Sequence, residues 1–196
     1  GSTSLVSGDK YAQYSKIAPT YVLGDEINGS WRQSLLKIGE ALGRTKEAQQ
    51  AITDYETKAK EAKEKIQKAN GEQSAAAIWV TAKAFYVVSE NLSSGAVIYQ
   101  DLGFKVPSVV KEISGSSNAN WKPISMERIA ELDADHIFLI RTQAGDEKLL
   151  NDPIWKNVKA VKSGNVYEFD RSKSWLYSGA IANTKMIEDV LKSVVK

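Results

Sequence analysis

The sequence predicts an α/β protein: a Rossmann-like, mostly parallel sheet with helices on both faces, preceded by a long helix. Three observations point there. β-type and helical runs alternate through the last two thirds of the chain. Two of those runs, "SAAAIWV" and "DHIFLI", are apolar after their polar opening residues, the texture of buried strands. Ahead of them, apolar residues recur at helical spacing from Trp31 to Ala69. The chain therefore divides into residues 1–30, a helical segment 31–70 and an α/β part 71–196.

In the first part, "TYVL" reads as a short strand between Pro19 and Gly24, with no local partner. Ser30 and Gln33 form a capping box, so a helix starts at Trp31. Gly43 breaks or kinks it, and Thr45 is a candidate new N-cap. Ala48, Ile52, Tyr55, Ala59, Ala62, Ile66 and Ala69 then follow at spacings of four and three, a thin seam. Straight and continuous, this run would reach ~60 Å, longer than the body of a domain this size.

From Ser74 the strands begin. "SAAAIWV", the turn "TAKA" and "FYVVSE" suggest a hairpin. A short helix over "SSGAVIYQDLGF" is capped by Ser93 or Ser94, and "EISGSSNANW" reads as a loop. "SMERIAELDA" is a helix with Ser125 as N-cap, and "DHIFLI" is a strand. Two short helices follow, the second with Asp152 as N-cap and Pro153 at N1. The strand "GNVYEFD" and a closing helix end the chain. Open sheets bind ligands outside the carboxyl ends of their strands. The turns there supply Thr81, Glu90–Gly95, Arg141–Gly145 and Arg171–Tyr177.

Composition removes several classes of function. A net charge of +2 over 196 residues is too small a field for nucleic acid. The absence of cysteine excludes disulfides, thiolate metal sites and a Cys nucleophile. No apolar run nears the ~18 residues of a membrane span. No signal peptide is visible, and the opening "GS" reads as an expression scar, which is compatible with a native targeting segment having been removed. The one histidine, His136, starts a core strand and reads as structural. No dinucleotide or phosphate-loop motif occurs. Asp133 and Asp135 flank a turn, where Asp is a turn former before it is an acid or base.

What remains is an aromatic and basic rim of Trp79, Arg141, Arg171, Trp175 and Tyr177. Ring faces supply area and guanidinium forks grip oxygen, which suits a bulky, negatively polarised ligand. Trp79 also fits a core strand position, Trp121 is open between the two readings, and Tyr86 reads as packing on the sheet. Trp175 and Tyr177 leave their strand inside a polar turn, so they have the weakest structural reason to be there.

The ordered series "KIAPTYVL", "SWRQSLLKIGEALGRTKEAQQAITDYE", "GAVIYQDLGF", "ISMERIAELDADHIFLI", "DPIWKNVKAVKSGNVYEFD" and "WLYSGAIA" resembles the iron-siderophore-binding proteins of bacterial ABC importers. It spans nearly the whole chain. The resemblance implies two α/β lobes joined by a long helix, with the ferric siderophore between them. Residues 31–70 would then be the interlobe helix and 71–196 the C-terminal lobe. Residues 1–30 would be a remnant of an N-terminal lobe that is otherwise missing. It implies no catalysis and no protein cofactor, since the siderophore supplies the iron's oxygen ligands. Ligand-binding residues would be Trp79, Arg141, Arg171, Trp175 and Tyr177. Glu127, in the first turn after Ser125, would dock on the permease, although the helix dipole also favours a carboxylate there. The few basic residues suit a hydroxamate or citrate–hydroxamate siderophore over a tris-catecholate. The location implied is extracytoplasmic, as a membrane-anchored lipoprotein or a periplasmic protein. A rival reading makes the 45–69 seam a dimerisation surface, with self-association of the chain. Another is an enzyme with a carboxylate pair.

Overall fold

Ala75, Ala76 and Ala77 open the first strand, and all three are fully buried. Side chains this small let neighbours reach the backbone, and Tyr99 does so, its hydroxyl donating to the Ala75 carbonyl at 3.0 Å. This strand, β1 (Ala75–Val80), is central in a five-stranded sheet. The others are β2 (Phe85–Val88), β3 (Trp121–Ile124), β4 (His136–Arg141) and β5 (Val166–Asp170), in the order β3-β2-β1-β4-β5. The computed structural model describes residues 6, 8–24, 27, 30–115, 119–142 and 145–195.

The sheet is mixed, which corrects the expectation of a mostly parallel, Rossmann-like sheet. β1 pairs with β4 and β4 with β5 in parallel, whereas β1–β2 and β2–β3 are antiparallel. One reversed strand, β2, creates both antiparallel ladders. It is turned by Thr81, whose hydroxyl donates to the Ala84 carbonyl at 3.1 Å and accepts from the Lys83 and Ala84 N–H groups. The second source of the error is β3, whose first residue, Trp121, ends the stretch "EISGSSNANW" read as a loop and whose other three residues fall in no predicted element. Its four residues include Pro123, a residue that argues against a central strand but is tolerated at an edge, where β3 sits. Of that stretch, residues 116–118 lie outside the described residues, as do 143 and 144 of the rim turn after β4.

The chain forms two units, Gly1–Tyr55 and Glu56–Lys196. In the first, α1 (Asp9–Ser15) buries no residue. "TYVL" forms no strand. α2 (Trp31–Ala41) starts where the capping box predicts, with the Gln33 N–H donating to Ser30 Oγ at 3.3 Å. Gly43, at φ 66°, reverses the chain in the left-handed region that glycine adopts freely. α3 (Thr45–Asn70) follows, its first eleven residues in this unit and the rest in the second, so the 31–70 run is two helices, and Thr45 is the first helical residue of α3, not its cap. Gly39 permits a close crossing: a Cβ there would lie 2.7 Å from Ala48 Cβ. Trp31 meets Tyr55 edge-on at 5.0 Å, with the Arg32 guanidinium 4.6 Å over the indole. The seam residues Ala48, Ile52, Tyr55, Ala59, Ala62 and Ile66 are all buried, and only Ala69 is exposed. A seam already buried within one chain is not free to zip a dimer.

In the second unit the strands carry short connecting helices. α4 (Ser93–Gly95) runs into a π-helical turn, Ala96–Asp101. Leu92, not Ser93 or Ser94, holds the cap position. α5 (Ser108–Ser114), absent from the sequence reading, begins after Pro107. The buried Lys122 on β3 closes it, donating to the Ile113 and Ser114 carbonyls at 2.9 and 2.7 Å. α6 (Met126–Ala130) is capped by Ser125, and α8 (Pro153–Asn157) by Asp152, as predicted. Between them lies α7 (Glu147–Leu150); α9 (Lys159–Lys162) and α10 (Ala180–Val194) complete the unit. His136 is a buried structural residue. Its Nε2 meets Gln73 Oε1 and its Nδ1 meets the Tyr167 hydroxyl at 3.2 Å, and burial lowers its pKa.

Candidate functional site

Register decides which face each side chain takes. Trp79 is paired with Tyr86 on β2 and with Ile140 on β4. Tyr86 shares its face with Val88, which is paired with Trp121 on β3. Trp79, Tyr86 and Trp121 therefore project from one face, and their rings touch. Trp79 lies 5.3 Å from Tyr86 at 35° and 6.2 Å from Trp121 at 77°. All three are half-buried. α4 packs on β1 and β2 beside them and also meets the 3-10 turn Ser174–Leu176. Gly95 makes that approach possible, since a Cβ there would sit 1.9 Å from the Ser89 carbonyl oxygen.

Arg141 ends β4, paired with Val80, so it leaves the opposite face from Trp79. Its fork is engaged. Nε and Nη2 donate to Asp146 at 3.0 and 2.7 Å, and Nη1 donates to Glu168 at 2.9 Å. Asp146 is fully buried, and hydrogen bonds donated to the Asp146 and Glu168 carboxylates raise the Arg141 pKa further. Two carboxylates against one guanidinium leave this cluster without spare positive charge.

Trp175 departs most from expectation. It does not stand open to solvent in its polar turn but is wholly buried. It stacks on Phe138 at 5.1 Å and on Phe169 at 4.8 Å, and its Nε1 donates to Asp189 of α10 at 3.1 Å. In this arrangement it has no surface for a ligand. Its neighbour Tyr177 is 61% exposed, and Arg171 is exposed after β5, its N–H bonded to the Arg141 carbonyl at 3.0 Å. Glu127 is exposed at the start of α6, its carboxyl held below the usual range by the Ser125 hydroxyl and by its own N–H.

The five predicted residues are thus not one cluster. Trp79 joins two rings outside the predicted set: Tyr86, read as packing on the sheet, and Trp121, left open between core and site. Alternation along β2 offered a signal for Tyr86; Trp121 was hidden because β3 was not recognised. Among the described residues no group of three His, Cys, Asp or Glu is arranged for a metal.

The family model described as "Periplasmic binding protein" matches residues 1–172. The chain belongs to the periplasmic binding protein family. Its similarity to the iron-uptake system-binding protein of Bacillus subtilis is 30% identity over 169 residues, covering 81% of this chain and 51% of that protein. A solved periplasmic binding protein component of a Fep/Fec-like ferrichrome ABC transporter from Bacillus subtilis superposes with TM-score 0.82 at 27% identity. It covers 95% of this chain and 71% of that one. The Bacillus subtilis triscatecholate siderophore binding protein FeuA, solved with ferri-bacillibactin, gives TM-score 0.75 at 28% identity, covering 95% of this chain and 67% of that one. This periplasmic binding protein sequence spans about half to three fifths of the length of the curated relatives it matches.

Proposed function

We propose that this chain belongs to the substrate-binding component of an ABC importer that captures a ferric siderophore and delivers it to the permease. It works outside the cytoplasm, as a periplasmic or membrane-anchored protein, and makes or breaks no bond. Relatives named for iron uptake and for siderophore binding support this. The observation that carries it in this chain is the half-buried aromatic corner of Trp79, Tyr86 and Trp121. Such a corner buries a bulky chelate by ring faces, and the iron arrives with its oxygen ligands already in place.

The ligand is of the hydroxamate or citrate–hydroxamate type. The named relatives span both a ferrichrome and a triscatecholate system, so charge decides between them. Arg141 is compensated by Asp146 and Glu168, which leaves Arg171 and Lys173 as the exposed cations of the β5 turn. A highly anionic catecholate complex needs more. In this reading Trp79, Arg171 and Tyr177 touch the ligand. Arg141 fixes the rim through its ion pairs, and Trp175 supports the Tyr177 turn from beneath. Glu127 contacts the permease.

Tryptophan-fluorescence titration tests the reading. Ferric hydroxamate and ferric citrate–hydroxamate complexes are expected to quench saturably, and the iron-free siderophores weakly. No saturable quenching by any ferric siderophore would sink it. Preference for a tris-catecholate would overturn the ligand class alone.

A further inference from the structure

Among the described residues, three buried side-chain polar atoms have no hydrogen-bond partner: Trp79 Nε1, Trp121 Nε1 and Ser94 Oγ. Buried donors are paired in most folds, because an unpaired one retains its full desolvation cost. Unpaired donors scattered at random would mean little. Two of these share one aromatic corner, and the third lies on the helix packed against its strands. Trp79 and Trp121 are in ring contact, and Ser94, which is fully buried, sits on α4 where that helix packs on β1 and β2. The next residue, Gly95, abuts Val88, the strand partner of Trp121.

The local backbone is also unusual. Ser93 is the only described non-glycine residue with positive φ, at 51°, and the π-helical turn begins three residues later at Ala96. A serine in the left-handed region costs free energy, and π-turns recur at functional positions. Ser94 follows this left-handed residue directly and is fully buried.

We propose that Trp79 Nε1–H, Trp121 Nε1–H and the Ser94 hydroxyl form a cation-free oxygen-binding subsite that donates to amide carbonyl oxygens of the ligand or to hydroxamate oxygens whose charge the iron neutralises. This rests on the siderophore reading and adds to it the atoms that recognise the ligand. Two of the three donors are indole N–H groups, which cannot accept. No cation belongs to the set. The subsite therefore favours a neutral acceptor set on an apolar body and gives no advantage to a bare anion.

The test compares wild type with Ser94→Ala, Trp121→Phe and Trp79→Phe. Each substitution deletes a donor and keeps most of the volume. Titration uses ferrioxamine B and ferrichrome as hydroxamate probes, with melting temperature read on the unliganded protein. Each variant is expected to bind roughly three- to tenfold more weakly, the worth of one hydrogen bond. The melting temperature of Ser94→Ala is expected to hold or to rise by about 2 °C, because an unpaired buried hydroxyl has been removed. Unchanged affinity in all three variants overturns the subsite while the siderophore reading stands. A lower melting temperature in Ser94→Ala also overturns it, since the hydroxyl would then be bonded within the fold. A wild type that binds neither probe nor any other ferric siderophore removes both.

Discussion

Trp175 shows how a residue can look functional in sequence and be structural in the fold. Its turn is polar, so nothing nearby in the chain suggests burial. The partners come from elsewhere: Phe138 on β4, Phe169 on β5 and Asp189 on α10. Truncating a wholly buried, doubly stacked indole leaves a large cavity. Trp175→Ala is expected to cost about 3–5 kcal/mol, read as a lower urea midpoint. Trp175→Phe should cost much less, since it keeps the stack and loses chiefly the bond to Asp189. Arg141 follows the same logic. Arg141→Met removes the two-pronged ion pair from the buried Asp146 carboxylate and is expected to cost about 3 kcal/mol in chemical denaturation. A variant as stable as wild type would return Arg141 to the ligand.

At the scale of elements, local signals and long-range pairing differ in how far they can be read. Caps were legible because they need only a few consecutive residues: Ser30, Ser125 and Asp152 each accept from the predicted helix start. Ser30→Ala should cost about 1 kcal/mol, measurable as a shifted thermal midpoint. Strand existence was legible wherever the run was long and apolar, as in β1 and β4. Sheet class was not, because it depends on what β2 pairs with, and β3 has only four residues with Pro123 among them. The site was divided in the same way. Trp79 could be named from its strand, but its contact with Trp121 passes through two antiparallel ladders that no local pattern announces. Gly95 offers a sharper test of the α4 corner. Any Cβ there meets a main-chain carbonyl that cannot swing aside, so Gly95→Ala should displace α4 and speed proteolysis of the 89–96 segment. Cleavage at the wild-type rate would contradict the close approach.

For the whole molecule, pH dependence has a definite sign. His136 is buried with its pKa lowered, so the unfolded chain takes up a proton first as pH falls below about 6.5. The stability linked to neutral His136 is complete above that value and is lost as pH falls through the folded one. Asp135 behaves likewise at lower pH. Burial pushes its carboxyl up, but the Ser74 N–H and hydroxyl together with Lys159 outweigh that and hold it below its usual value. Its contribution is complete above about 4 and disappears in stronger acid. Urea midpoints should therefore decline in two stages between pH 7.5 and 3. His136→Gln should flatten the first stage; a midpoint that rises from pH 7.5 to 5.5 would contradict the assignment. The edge strand β3 has a further consequence for how copies of the molecule behave beside one another. Its exposed Pro123 has no N–H, and the strand is only four residues long. An incoming chain finds an interrupted row of donors and nothing to extend into a fibril. Pro123 thus acts as a gatekeeper, and replacing it with valine would give the sheet an adhesive margin.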